Sequence, residues 1–255
     1  MRLVLEISFD GTKYSGWQIQ KNEVSVQSTL EEKLALLLNR PIQLVGCGRT
    51  DAGVHARQFF LHFDVDPFEL ERLKLHSMNA VLPLTISVKN MYGAADEFHS
   101  RYQANLRKYI YTIHSSKDPF LVTTSFYYPS FDTISISKLQ EAAKWIKEMQ
   151  EFSSFVKSNS GLKNFECSIH QSEWMQRNTT EWEYHISANR FVRGMVRLIV
   201  GMCLNYANGS IQKDEIWEAI QNKKQIDKSW SVPALGLSLV QVHYPEGLLI
   251  NYNSG

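Results

Sequence analysis

Residues 169–175 read IHQSEWM and residues 182–187 read WEYHIS, with six residues between the two stretches. Both read as short β-strands, and in the second the apolar residues Trp182, Tyr184 and Ile186 alternate with polar ones. Strands this close in sequence pair as an antiparallel hairpin, because a parallel pair needs a long crossover connection. The pair therefore favours an α/β fold with mostly antiparallel sheets over a doubly wound parallel sheet.

The remainder of the chain interleaves strands and helices. Residues 3–9 alternate apolar and other side chains and predict an opening strand, whereas from Val26 leucines recur at spacings of three and four and predict a helix. Further strands are predicted near 42–45, 59–65, 86–88, 108–114, 126–129 and 237–243, and further helices near 68–80, 136–149, 192–207 and 214–219. The stretch 153–164, rich in serine, asparagine and glycine, predicts a loop.

This order of elements runs twice along the chain. We predict two related α/β halves flanked by helices: residues 1–104, which hold a glycine-rich loop, and residues 105–255, which complete the site. At 255 residues and 44% hydrophobic content the chain is long and apolar enough for a substantial core, which excludes a disordered protein.

The total charge gives little information about partners. Lys plus Arg number 27 against 26 Asp plus Glu, so the formal net charge is +1 and by itself suggests a metabolic enzyme rather than a nucleic-acid-binding protein. Three widely spaced cysteines, without a C-x-x-C pair, suit the reduced cytoplasm. Neither a signal peptide nor a membrane span is indicated, because acidic or basic residues interrupt the candidate apolar runs.

One loop concentrates the residues that could carry chemistry. Residues 46–55 read GCGRTDAGVH, and such glycines allow positive φ and close approach of a ligand. The loop matches neither common phosphate-binding glycine motif. From spacing alone, a role of Asp51 in stabilising its own turn is favoured over a catalytic one.

Metal-binding and two-carboxylate sites have weaker support. The histidines are dispersed, and the sequence contains neither an H-E-x-x-H motif nor a calcium loop, so no metal is expected. A two-carboxylate hydrolase would need a second acid beside Asp51, for which Asp10 and Asp96 stay open.

Positive charge is concentrated in two windows that contain no acid, residues 98–117 and 184–213. The first holds Arg101 and Lys108, and the second holds Arg193 and Arg197, which would lie one turn apart if residues 192–204 form a helix. Tyr109 and Tyr111 alternate with Lys108 and Ile110, a mixture of stacking surface and charge that suits an RNA base. Both observations have a common alternative explanation. The basic residues could form an ordinary solvated face, and the tyrosines could be half-buried residues of an ordinary strand.

Several strings in the chain resemble, in order and over essentially its whole length, the tRNA pseudouridine synthases of the A type (TruA). The catalytic-loop string GRTDAGVHA over residues 48–56 is the most specific of them. The other matching strings are FDGTKYSGWQ at 9–18, FHSR at 98–101, RKYIY at 107–111, Phe191, MVR at 195–197, IVG at 199–201, Pro233-Ala234 and Gly236-Leu237.

The resemblance implies a cofactor-independent isomerase that turns uridine into its C-glycoside. It implies that Asp51 acts catalytically, that Arg197 pairs with Asp51 and keeps it ionised, and that Tyr109 stacks on the extruded base. Arg49 would contact the RNA, and Leu237 would help to wall the pocket. Whether Asp51 attacks the ribose, attacks the base or removes a ribose proton stays open.

The same resemblance implies a tRNA substrate, modified in its anticodon arm at positions 38, 39 and 40. It also implies a homodimer whose duplicated fold resembles RNA-recognition modules. Phosphate contacts from Arg101, Lys108 and Arg193 would hold the arm. The sequence departs from many relatives at Arg193, Gly194 and His170, which bears on the RNA contacts. A non-catalytic RNA-binding module is the alternative function.

Overall fold

The computed structural model describes residues 1–156, 164–226 and 230–252. Its strands are β1 (Arg2–Phe9), β2 (Val45–Gly46), β3 (His55–Asp64), β4 (Ile86–Ala94), β5 (Leu106–His114), β6 (Phe126–Tyr127), β7 (Ile169–Gln176), β8 (Glu181–Ala188), β9 (Leu237–His243) and β10 (Ile250–Asn251). Its helices are α1 (Val26–Leu38), α2 (Leu75–Val81), α3 (Ile136–Glu148), α4 (Met195–Ala207) and α5 (Lys213–Gln221). Short 3₁₀ helices lie at Pro67–Glu69, Pro129–Thr133, Ser153–Phe155 and Ala234–Gly236.

The chain forms two compact units, Met1–Leu106 with Ser238–Gly255 and Arg107–Leu237. The first unit ends close to the predicted boundary after residue 104, but the chain's last segment groups with it. The reason is that β9 pairs in parallel with β3, His55 opposite Ser238. The roles assigned to the halves 1–104 and 105–255 stay predictions.

The first unit is built around a mostly antiparallel sheet. Its strand order is β10-β4-β1-β3-β9, and β2 adds a short pairing to β3. The aliphatic side chains of β1 are buried, and so are three of the leucines of α1; these core residues include Leu3, Leu5, Ile7, Leu30, Leu34 and Leu38. Ser25 and Ser28 form a reciprocal capping box that begins α1. The predicted strand near 42–45 is only the short β2, and the predicted helix near 68–80 is a 3₁₀ turn followed by α2.

The second unit contains the hairpin predicted from residues 169–187. Strands β7 and β8 pair antiparallel, Trp174 opposite Tyr184, and β8 pairs antiparallel with β5, Tyr109 opposite Ile186. Helix α3 packs on β7 and on α4. Mostly antiparallel sheets flanked by helices thus occur in both units, and the predicted fold class is confirmed.

Two local predictions differ from the structure. The predicted loop over 153–164 begins with a 3₁₀ helix in which Ser154 and Phe155 are buried, and residues 157–163 of that prediction lie outside the described residues. The predicted helix over 192–207 begins only at Met195, because Gly194 takes φ +76° as its N-cap. Within the described ranges, no helix has both the length and the apolar character needed to cross a membrane.

Candidate active site

Asp51 lies in the loop that connects β2 to β3 in the first unit. Its side chain is half-buried, and its backbone carbonyl accepts a hydrogen bond from Val54 N–H at 3.2 Å, so the turn after it is closed by backbone atoms. Gly53 takes φ +78° within this turn, a conformation that favours glycine. The same loop is fastened at its start, where Cys47 N–H donates to the carbonyl of Phe60 at 2.7 Å.

A second segment, residues 10–17, braces the Asp51 loop from the side. Gly53 N–H donates to the carbonyl of Tyr14 at 3.2 Å, and Trp17 N–H donates to the carbonyl of Thr50 at 3.4 Å. Two glycines permit this approach: a Cβ on Gly11 would lie 2.0 Å from the Val54 carbonyl oxygen, and one on Gly16 would lie 2.3 Å from that of Thr50. The segment FDGTKYSGWQ, quoted for its resemblance, therefore has a physical function as the support of the loop.

The brace is itself anchored to the unit. The Tyr14 hydroxyl lies 2.7 Å from the Thr85 hydroxyl, and Asp10 N–H donates to the Thr85 carbonyl at 2.9 Å. Beneath the loop the buried Trp17 ring lies 4.3 Å from the ring of Phe59. Because a Cβ on Gly46 would come within 2.6 Å of the Trp17 indole, only glycine fits at the end of β2. The amphipathic pattern of the sequence gives no signal for these contacts.

His55 joins the brace to β3. Gly11 N–H donates to His55 Nδ1 at 3.1 Å, and the same nitrogen lies 3.1 Å from a carboxylate oxygen of Asp10. Burial raises the pKa of Asp10, but hydrogen bonds from the N–H and hydroxyl of Thr12 outweigh it, so the pKa lies below its ordinary value.

The two candidates for a second acid have different surroundings. Asp10 caps its own turn through bonds from the Thr12 N–H at 2.9 Å and the Thr12 hydroxyl, and Asp96 is exposed on the surface.

In the second unit, the structure brings two predicted aromatic residues together. Tyr109 lies on β5 and meets the ring of Phe191 edge to face, with the centroids 5.2 Å apart. Both rings are half-buried. Lys108, the residue before Tyr109 on this strand, points to the other side of the sheet because side chains alternate along a strand.

Arg197 occupies the first turn of α4 and is held by a neighbouring loop. Its Nε donates to the carbonyl of Val232 at 2.6 Å, and its own carbonyl accepts from Val232 N–H at 3.4 Å. The Tyr111 hydroxyl donates to the carbonyl of Pro233 at 2.8 Å. Burial raises the pKa of Tyr111, and the nearby Arg197 lowers it by less. Tyr111 is thus a structural partner of this loop, which the alternation of tyrosines alone did not reveal.

The remaining predicted site residues lie at different depths. Arg49, Arg101 and Arg193 are exposed, whereas Leu237 is buried at the start of β9. The prediction that Arg193 and Arg197 share one helical face is wrong, because Arg193 precedes the helix by two residues. The pairing of Asp51 with Arg197 and the stacking role of Tyr109 stay predictions. Within residues 1–156, 164–226 and 230–252, no group of three His, Cys, Asp or Glu residues could hold a metal ion.

Comparison with known proteins gives a consistent answer. The profile of a family described as tRNA pseudouridine synthase matches residues 149–245. The tRNA pseudouridine synthase A of Bacteroides fragilis is 35% identical over 96% of this chain and 97% of its own length. The enzyme of the same name from Parabacteroides distasonis is 36% identical over 97% of each chain.

One solved structure that overlaps this chain is too different from it to support a conclusion about the fold. A solved CRISPR endoribonuclease bound to a 19-nt RNA overlaps 82% of this chain and 97% of its own, at 10% identity and a TM-score of only 0.21. The curated relatives, by contrast, align over nearly their full length. The chain therefore belongs to the tRNA pseudouridine synthase A family, a family of pseudouridine-forming isomerases.

Proposed function

We propose that this protein isomerises uridines at positions 38, 39 and 40 in the anticodon arm of tRNA, with Asp51 as its catalytic residue. The observation that carries the proposal is the braced loop: Asp51 is half-buried, and Thr50 and Gly53 on either side of it are hydrogen-bonded to residues 14–17. A carboxylate held in this way is pre-organised for reaction. The near full-length relatives named tRNA pseudouridine synthase A support the tRNA substrate.

The reaction needs no net oxidation, reduction or group loss. The bond from the ribose to uracil N1 breaks, the base turns, and a bond from the same ribose carbon forms to C5, from which a proton leaves while N1 gains one. A carboxylate could attack the ribose or the base covalently, or it could remove a ribose proton. The proposal assigns the role to Asp51 and leaves these three routes open.

Two further residues complete the proposed site. Arg197 would pair with Asp51 and so favour its ionised form. Arg197 is suited to this because the Val232 carbonyl already fixes its Nε, so the guanidinium points in one direction. Tyr109, supported by the edge of Phe191, would stack on the extruded uracil, and Leu237 would wall the pocket.

The RNA would be held by charged side chains around the site. Arg49, Arg101 and Arg193 are exposed and would contact phosphates, and the half-buried Lys108 adds charge on β5. A uridine in a paired stem must leave its stack, at an expense of a few kcal/mol that pocket contacts offset. Confined basic positions in a protein of net charge +1 favour local contact over general affinity for polyanions.

Release of tritium from tRNA labelled at uridine C5 tests the proposal. Wild type should release the label, and Asp51→Asn should bind tRNA with near-normal affinity but release none. Asp96→Asn is the matched control, because it removes an exposed carboxylate from the same unit and should behave as wild type. Equal release from wild type and Asp51→Asn would refute the assignment of Asp51. Binding without release by the wild type would support the RNA-binding alternative, and free uracil as product would indicate a hydrolase.

We also propose that the protein acts as a homodimer in the cytoplasm. Its three cysteines are buried and form no disulfide, which suits a reducing compartment. Light scattering of the purified protein measures the assembly, and a monomer at micromolar concentration would contradict the dimer. Pseudouridine mapping in anticodon arms from cells that lack the protein tests which of the three positions depend on it.

A further inference from the structure

An exposed tyrosine stands on a turn that several hydrogen bonds hold together. Tyr102 is 73% exposed, although the turn around it, residues 98–103, is closed by several hydrogen bonds. The N–H groups of Tyr102 and Gln103 both donate to the His99 carbonyl at 3.1 Å, and His99 N–H donates to the Gln103 side chain at 2.7 Å. The ring is therefore presented to solvent from a fixed base.

Behind Tyr102, a series of rings leads into the core of the first unit. The Tyr102 centroid lies 4.2 Å from that of His99, and His99 lies 5.1 Å from the buried His62 on β3. His62 is fixed by Ser100, whose N–H donates to His62 Nδ1 at 3.2 Å. Phe98 meets His62 edge to face and fills the core beside it. The exposed ring thus has a rigid aromatic support.

The charge around the stack comes from an arginine. Arg101 places its guanidinium carbon 5.7 Å from the centroid of the Tyr102 ring. The backbone N–H of Arg101 donates to His99 Nδ1 at 3.1 Å. A ring nitrogen that accepts a hydrogen bond is unprotonated, so His99 contributes a neutral ring. Burial, together with Arg2 and Arg101, lowers the pKa of His99 in agreement with this geometry. The surface therefore combines a neutral aromatic face with the neighbouring cation of Arg101.

We propose that Tyr102, backed by His99, is a stacking platform for an unpaired base of the RNA substrate other than the uridine being isomerised. Arg101 would contact a phosphate next to that base. The proposal rests on the proposed function only in taking RNA as the substrate. Aromatic faces paired with arginine are the usual means of holding unpaired bases, and a ring that is already fixed loses little conformational freedom on binding.

A purely structural role for the Tyr102 ring has little support. Phe98 and His62 fill the core at this turn, whereas most of the Tyr102 ring surface meets solvent. Single exposed apolar residues are common, but the fixed turn and the ring support distinguish Tyr102 from them. Phe120 supplies a comparison, since it is 90% exposed on a different turn of the second unit.

The test compares four variants of the full-length protein: Tyr102→Phe, Tyr102→Trp, Tyr102→Leu and Tyr102→Ala. Leucine keeps apolar area but removes the aromatic face. We expect Tyr102→Leu and Tyr102→Ala to raise the Kd for unmodified tRNA by about 5- to 150-fold, the range for losing one stacked base. Their kcat at saturating tRNA should stay within about twofold of wild type, because chemistry at Asp51 is untouched. The Phe and Trp variants should bind as wild type.

Single abasic substitutions in the anticodon arm identify the base. At the stacked position the abasic tRNA should bind wild type more weakly, and Tyr102→Leu should add no further loss, as in a double-mutant cycle. The proposal is overturned if Tyr102→Leu binds as wild type, if Tyr102→Phe loses as much as Tyr102→Leu, if no abasic position shows coupling, or if Phe120→Leu causes the same loss. An active Asp51→Asn with normal Tyr102 results would refute only the proposed catalytic role.

Discussion

Replacing Gly16 with alanine should slow the isomerisation by about a hundredfold while leaving tRNA affinity nearly unchanged. A Cβ at this position would lie 2.3 Å from the Thr50 carbonyl oxygen and 3.1 Å from the carbonyl carbon of Asp51. Contacts of real Cβ atoms stay beyond about 3.0 Å, so the Thr50 carbonyl must retreat by at least about 0.7 Å. That carbonyl belongs to the peptide bond that joins Thr50 to Asp51.

The expected magnitude follows from the precision that catalysis requires. A displacement of about 1 Å at a reacting group costs on the order of a hundredfold in rate, because the near-attack geometry is lost. The substitution also strains the backbone, since Gly16 takes φ +94°, a conformation that costs a non-glycine residue roughly 1–3 kcal/mol. The rate therefore has to be compared at matched folded fractions.

Two other glycines separate these effects. Gly48 lies in the same loop, and a Cβ there would meet no heavy atom within 4 Å, so Gly48→Ala controls for position in the loop. Gly209 takes φ +81° and also has open space, so Gly209→Ala reproduces the strain without the close contact. We expect Gly48→Ala to resemble wild type, and Gly209→Ala to lose stability but to keep its kcat.

The assay is tritium release at saturating tRNA, together with binding and urea unfolding of each variant. A kcat for Gly16→Ala within about threefold of wild type would refute the brace as the element that sets the position of Asp51. A parallel fall in affinity and kcat would indicate instead that the substitution damages the whole loop. The expected result is a fall in kcat with an unchanged affinity for tRNA.

Three further outcomes are expected. Acidification from pH 6.5 to pH 4 should lower the free energy of unfolding by up to about 3 kcal/mol, because burial, aided by Arg2, lowers the pKa of His62 from 6.5 to about 4. The unfolded chain therefore takes up the proton first, and urea titrations should show a smaller pH dependence of stability in His62→Gln. Gly201→Ala should destabilise the protein by about 1–3 kcal/mol in the same assay, since its Cβ would lie 1.9 Å from the Trp230 carbonyl oxygen. Arg193→Glu should weaken tRNA binding and reduce its salt slope by about one, and an unchanged slope would remove Arg193 from the RNA surface.

The sequence predicts those parts of the fold that depend on periodicity. The alternation in residues 182–187 and the leucine spacing after Val26 lead to β8 and α1, because burial of one face imposes those periods. The first residue of α4 could not be predicted from periodicity. Val192 continues the apolar pattern, but the positive φ of Gly194 delays the helix to Met195 and places Arg193 outside it.

The candidate site was predicted one residue at a time, without the contacts that hold each residue. The catalytic role of Asp51 is predicted from the resemblance of one string. Its support by residues 10–17, in contrast, depends on backbone hydrogen bonds between segments about 40 positions apart. Such bonds join carbonyl and N–H groups that every residue possesses, so they leave almost no mark on side-chain patterns. The glycines at positions 11 and 16 do reflect these contacts in the sequence. Glycine occurs for many other reasons, however, so its presence alone does not identify a close backbone contact.

These contacts also divide the Asp51 loop into a fixed and an accessible part. Cys47 is bonded to β3, and Thr50, Gly53 and Val54 lie against the brace, so Asp51 has bonded residues on both sides. Arg49 stands between the two fixed regions and is exposed to solvent. A carboxylate that must be placed within a fraction of an ångström benefits from such restraint. A guanidinium that follows an RNA backbone benefits instead from a side chain that is free to change its conformation. The loop can therefore hold the proposed catalytic carboxylate of Asp51 in place while Arg49, its proposed RNA contact, adapts to the substrate.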